Sequence, residues 1–190
     1  MAKLYFRYGA MTAGKSTLLL QVAHNYKFNN MRVIIVKPKI DTKGNNKIVS
    51  RIGLSSEVDI LLDENKNIYH YQQIAKESDC ILVDESQFLN KEQAIALWKF
   101  SKEYDIPVIC YGLKTNFKGE LFEGSATLMA YADELEELKT ICSCGKTARF
   151  NARKVDGEFT VSGDEVIIDG SSKVEHVPLC GKCYFKKVIK

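Results

Sequence analysis

The sequence contains no apolar run approaching the ~20 residues that cross a bilayer. Its longest are short stretches such as Val33 to Val36 with their neighbours, so no membrane-spanning segment is expected. Cysteine is sparse: six thiols in 190 residues fall well short of a disulfide-stapled secreted scaffold. Met1-Ala2-Lys3-Leu4 does not open the long apolar region of a signal peptide, and a cytoplasmic location with reduced thiols is expected. Neither sign of charge dominates. The 27 Lys and Arg against 24 Asp and Glu leave a formal charge of +3, too near balance to announce a nucleic-acid binder. Repeats with a period of roughly 20 to 50 residues are absent, which removes solenoids and propellers.

What is present is ordinary globular material, 45% hydrophobic and 27% charged, enough for one domain or one domain with a small appendage. Short apolar runs alternate with longer amphipathic ones: Leu4 to Tyr8, Lys15 to Tyr26, then Val33 to Val36. That is the pattern of βαβ units and predicts a parallel sheet. Cys80 to Val83 and Pro107 to Tyr111 read as further buried strands. Asn90 to Tyr104 between them reads as a helix opened by an Asn-x-x-Gln cap at Asn90 and Gln93. Thr42 to Asn46 is turn-rich and reads as a loop that could cover a site. Past about Ala132 the texture changes. The acidic run Asp133 to Glu137 leads into alternating stretches, and paired cysteines appear, so a boundary is expected there.

Gly9-Ala10-Met11-Thr12-Ala13-Gly14-Lys15-Ser16 fits G-x-x-x-x-G-K-[ST], directly after a predicted strand and before a predicted helix. Such a loop lets backbone N–H groups curl round phosphate oxygens, while the helix start and Lys15 add positive charge. Ser16, followed by Thr17, is the expected Mg²⁺ ligand; Met11, read alone, is a packing residue. The second motif is Asp84-Glu85-Ser86-Gln87-Phe88 at the end of the apolar strand Cys80 to Val83. Carboxylates at the carboxyl edge of a parallel sheet sit where its ligands bind. Asp84 is the expected partner of Mg²⁺ on the phosphates, and Glu85 can orient or deprotonate the attacking oxygen. The same letters occur in the helicase acidic box, but that machine needs a second motor domain, for which 190 residues leave no room.

Cys142-Ser143-Cys144 and Cys180-Gly181-Lys182-Cys183 have the spacing of two knuckles meeting on one tetrahedral metal, with zinc the expected ion. The C-x-C pair is tight, and His176, four residues before Cys180, is an alternative ligand. Cys80 and Cys110 lie within predicted strands and read as core residues. A competing class, a nucleic-acid-stimulated ATPase, would use Lys146, Arg149, Arg153 and Lys154, but Phe150 is the main aromatic there to stack a base.

Together the three motifs, in this order, resemble the type II (cellular-type) thymidine kinases over nearly the whole chain. The resemblance implies an α/β fold. A P-loop NTPase core, its parallel sheet flanked by helices, would span residues 1–134, and a small zinc-binding β lobe with a lasso loop residues 135–190. It further implies transfer of the γ-phosphoryl of ATP to the 5′-hydroxyl of thymidine or deoxyuridine, with Mg²⁺ and structural Zn²⁺, in a homotetramer inhibited by dTTP. By the same matching Glu85 is the general base, and Met11, Phe88, Leu113, Phe117 and Phe122 are apolar walls round the base. Asp41 is a polar contact near the sugar, and Gln87 joins the substrate set. Asn151, Val166, Ile168 and His176 fall where the family lines the base from its lasso. An arginine that the family places beside the transferring phosphoryl is matched by Lys43, with Arg51 a nearby alternative. His176 stands where the family has Tyr, and Lys114 where it has an acid.

Overall fold

The computed structural model describes residues 1–41, 44–163 and 174–190. The chain begins with β1 (Leu4–Tyr8), α1 (Lys15–Phe28), β2 (Val33–Pro38) and a hairpin of β3 (Lys47–Val49) and β4 (Ser55–Glu57). It continues through β5 (Ile60–Leu62), the short helix α2 (Gln72–Ala75), β6 (Cys80–Val83) and α3 (Lys91–Glu103). Next come β7 (Val108–Gly112), α4 (Glu123–Tyr131) and β8 (Glu134–Glu137). Six strands make one sheet in the order β5-β2-β6-β7-β1-β8, every neighbouring pair parallel. The expected alternation of strands and helices is thus realised as a mixed α/β fold, since parallel strands need helical crossovers.

Burial explains why the apolar runs are strands. Every residue of β2 and of β6 is buried. Ile34, Val36, Ile81 and Val83 cluster with Leu97 and Phe100 of α3 and Leu128 of α4. Their neighbours Val33, Ile35, Cys80 and Leu82 cluster with Leu19, Leu20 and Ala23 of α1. Alternate side chains therefore serve opposite faces, and helices must cover both. The cap read for α3 is present in full: Asn90 Oδ1 accepts from the Gln93 N–H at 2.9 Å, and Gln93 Oε1 accepts from the Asn90 N–H at 3.1 Å. Burial pushes the Cys80 thiol up to about 11 and raises that of Cys110 further, as inert core residues require.

The acidic run is structured differently from its sequence reading. Glu134–Glu137 is the sixth strand of the main sheet, parallel to β1, so that sheet continues past the division drawn at residue 134. Charge suits an edge strand, because it discourages further pairing. Here Glu134 pairs at 2.7 Å with Lys3, just before β1, and Glu136 at 2.6 Å with Arg7 of β1. Beyond it, β9 (Thr140–Ile141) pairs with β10 (Thr147–Ala148). An antiparallel sheet joins β11 (Phe150–Val155) to β12 (Glu158–Thr160) and β13 (Val174–Leu179). The helix α5 (Gly181–Tyr184) follows. Among the described residues the buried cluster of this lobe is Cys142, Ala148, Ala152, Leu179, Cys180 and Tyr184.

Candidate active site

The site forms at the carboxyl edge of the sheet, where β1 turns into α1 and β6 into residues 84–88. Gly9 is required by close approach: a Cβ there would lie 2.5 Å from the Leu138 carbonyl oxygen. Gly14 takes φ +75° and opens α1 without a side-chain cap, leaving the first N–H groups of the helix for another partner. Lys15 Nζ folds back over the loop, donating to the carbonyls of Ala10 at 3.0 Å and Gly9 at 3.2 Å.

Across from the loop, Asp84 is buried at the end of β6, and Ser16 Oγ donates to its Oδ2 at 3.0 Å. Burial, then the neighbouring charge of Glu85, pushes the Asp84 carboxyl up to about 7. A hydroxyl and a carboxylate in contact are oxygen ligands of the kind Mg²⁺ takes. Glu85 holds φ +48°, uncommon for a residue with a Cβ and typical of backbone held by its surroundings at functional sites. Gln87 is part of that hold. Its Nε2 donates to Glu85 Oε2 at 2.6 Å, while its Oε1 accepts from the Leu113 N–H at 3.0 Å.

A cavity of about 510 Å³ opens here. Met11, Thr12, Gly14, Lys15, Ser16 and Thr17 line one side of it. Asp41, Arg51, Glu85, Gln87, Phe88 and Leu113 line much of the rest. The volume is within the range of pockets for small ligands. Gly9, Ala10 and Ala13 lie in the loop backbone beside it, and Asp84 behind Ser16. Phe122 packs edge-on against Phe88, ring centres 5.9 Å apart. Phe117 is buried under the Arg153 guanidinium, 3.6 Å from its ring centre, and its carbonyl accepts from Tyr184 Oη at 2.7 Å. Asn151 is buried, with its amide on backbone groups of Met11 and Thr115. His176 pairs across β13 and β11 with Arg153. Burial, then Arg153 and Arg51, lowers its pKa. Lys43, Val166 and Ile168 lie outside the described residues.

Sequence reasoning missed three contributors. Lys37 is almost wholly buried and pairs with Asp41 at 2.9 Å, aiming that carboxylate at the cavity; the only signal was a lysine closing an apolar strand. Val49, Ser50 and Ile52 bring the β3–β4 hairpin over the site. Arg153, read as a surface cation, is instead one of the largest fully buried side chains. Arg149 pairs with Glu137 at 3.1 Å and the Lys154 ammonium lies 4.8 Å from the Phe159 ring centre, so three of the four basic residues considered for a nucleic acid are engaged within the chain.

In the lobe, the sulfur atoms of Cys142, Cys144, Cys180 and Cys183 all lie within 4.8 Å of one another, positioned to bind a metal ion. His176 is not a member of that cluster. Backbone N–H groups of Cys144 and Cys180 pull the Cys142 thiol down to about 6, favouring the thiolate that binds metals. A tetrahedral cage with Zn–S bonds of ~2.3 Å has sulfur–sulfur edges of ~3.8 Å, so the donor set fits that ion.

Fold and site together define an α/β protein whose glycine-lysine loop and Glu85 carboxylate share one cavity at the carboxyl edge of a parallel sheet, with Asp84 buried behind Ser16. Comparison with known proteins makes the class specific. The family model for thymidine kinase matches residues 2–184. A thymidine kinase of Salmonella typhimurium is 46% identical over 191 residues, covering 97% of this chain and 91% of the relative. One from Legionella pneumophila is 44% identical, covering 98% and 90%, and one from Enterococcus faecalis 43%, covering 97% and 95%. The chain belongs to the thymidine kinase family of enzymes.

Proposed function

We propose that the chain is an ATP-dependent thymidine kinase, moving the γ-phosphoryl of ATP to the 5′-hydroxyl of thymidine, and of deoxyuridine, in nucleotide salvage. The observation that carries this reading is one cavity lined by both the Lys15–Ser16 loop and the Glu85 carboxylate, with Asp41 and Phe88 on its far walls. A phosphate donor and a hydroxyl acceptor must meet in one water-poor space for such a transfer. The loop from Gly9 to Thr17 takes the phosphates. Glu85 accepts the 5′-hydroxyl proton as the new oxygen–phosphorus bond forms and the γ-phosphorus–oxygen bond to ADP breaks. Ser16 and Asp84 hold Mg²⁺, which when bound neutralises phosphate charge. Met11, Phe88, Leu113, Phe117 and Phe122 wall the base, Asp41 meets the sugar, and Arg51 or Lys43 faces the developing charge.

Zinc on the four cysteines staples the lobe, and the division of labour is a nucleotide-binding core followed by this lobe. Among the described residues no helix is long and apolar enough to cross a membrane, and a cytoplasmic location is proposed on the family likeness. Assembly into a homotetramer, feedback by dTTP and independence from nucleic acid complete the proposal, on the family likeness.

The deciding experiment is transfer of label from γ-labelled ATP across a panel of nucleosides. Thymidine is the expected best acceptor, and Glu85→Gln should lower kcat by about 10²–10⁴-fold while ATP still binds. Absence of transfer to every nucleoside would overturn the reading, and full activity of the variant would remove Glu85 from its role.

A further inference from the structure

The loop from Gly9 to Gly14 is braced from outside, and the braces come from the cysteine-bearing side of the molecule. Asn151 in β11 accepts from the Met11 N–H through Oδ1 at 2.8 Å, and its Nδ2 donates to the Thr115 carbonyl at 3.2 Å. Thr140 in β9 meets the next loop residue: its hydroxyl lies 3.1 Å from that of Thr12 and donates to the Thr12 carbonyl at 3.5 Å. The Leu138 carbonyl fills the space beside Gly9. Loop positions 9, 11 and 12 are thus each touched by the segment leading into the lobe or by the lobe itself. The loop needs such support, because Thr12 holds φ +67°, a conformation that residues with a Cβ avoid.

We propose that Asn151 and Thr140 are positioning residues for the phosphate loop, fixing its conformation for the nucleotide rather than meeting the nucleoside base. This rests on the reading that the loop takes the phosphates of ATP. Both ends of the Asn151 amide are committed to backbone groups. Turning it toward a pyrimidine would strand the carbonyl of Thr115, itself only 7% exposed, and release the Met11 N–H. The side chain therefore tells on the donor site, although it sits in the strand that carries the lobe.

Steady-state kinetics and calorimetric ADP binding on the full zinc-loaded chain test this. Asn151→Ala should raise the ATP KM and the ADP Kd together by about tenfold, the worth of one buried hydrogen bond, while the thymidine KM moves less than about twofold. Thr140→Val keeps the shape, lies in a half-buried position and should move the same two quantities by about threefold, which decides the matter should the alanine variant not fold. A thymidine KM that rises while ADP binding is unchanged would overturn the proposal in favour of base contact. A fall in kcat with both affinities intact would overturn it in favour of a general structural role. If wild-type chain binds no ADP, the nucleotide reading itself fails; if wild type binds ADP and both variants bind it equally well, only the bracing role fails.

Discussion

The parallel sheet and the cysteine-bearing lobe reach order by different means. In the sheet, β2 and β6 are buried on both faces and α1, α3 and α4 supply layers of Leu, Ile, Val and Phe on either side. Among the described residues of the lobe, the buried cluster is six, of which two are cysteines and two alanines. The first region is held by apolar area; the described part of the second has far less, and on the proposed reading a metal held by the four sulfur atoms makes up the difference. Small units commonly make that exchange. The difference also divides sensitivity to conditions: one region answers to core volume, the other to metal and pH.

Removing the metal should break the comparison most widely. Structural zinc sites contribute on the order of 10 kcal/mol at neutral pH. A strong chelator, or Cys183→Ser, should abolish hydrogen-exchange protection of β11 and β13 while the amides of β1, β6 and β7 keep theirs. Equal loss of protection in both regions would mean that the sheet depends on the lobe and that the contrast is false. A core truncation is the converse. Leu82, wholly buried in β6, has α1 on its side of the sheet, and Leu82→Ala should cost about 2–5 kcal/mol. Chemical denaturation should show the sheet unfolding earlier with zinc content unchanged, and an effect below about 1 kcal/mol would sink the claim that apolar packing carries this region.

The same contrast governs what could be read from sequence. β1 and β6 match their readings at both ends, β6 because a continuous apolar run leaves little room for alternatives, and the cap at Asn90 and Gln93 marks the start of α3 in letters. The strands β3 and β4 were not visible, being three residues each and held by pairing with one another, with Ile48 alone reaching the core. β8 was masked by its own charge, since an edge strand answering Lys3 and Arg7 reads as a solvated acidic run. At the site, residue identity was legible and commitment was not. Gln87 and Asn151 stood out as polar candidates for a ligand, but an amide's two ends are allotted only when Glu85, Leu113, Met11 and Thr115 come together in space. Arg153 looked like a surface cation because nothing in the chain announces that Phe117 lies beneath it.

The smallest expected effect sharpens the contrast on the lobe side. His176 is half-buried on β13, opposite Arg153 on β11 and within the field of Arg51. Burial comes first and the two guanidinium groups second in holding its pKa below the usual 6.5. As pH falls through that value the unfolded chain takes up a proton before the folded one does, so stability is full above it and declines below it. Zinc loss on acidification acts in the same direction, so the informative quantity is the difference between wild type and His176→Gln. Thermal melts of both from about pH 7.5 to about pH 5.5 should show the wild type losing more stability, by a small fraction of the metal effect. The excess should appear in the lobe amides alone, because the charges that oppose His176 protonation come from β11 and the hairpin and not from the sheet. Parallel pH profiles for the two proteins would remove His176 from the account of acid sensitivity and leave it to the cysteines.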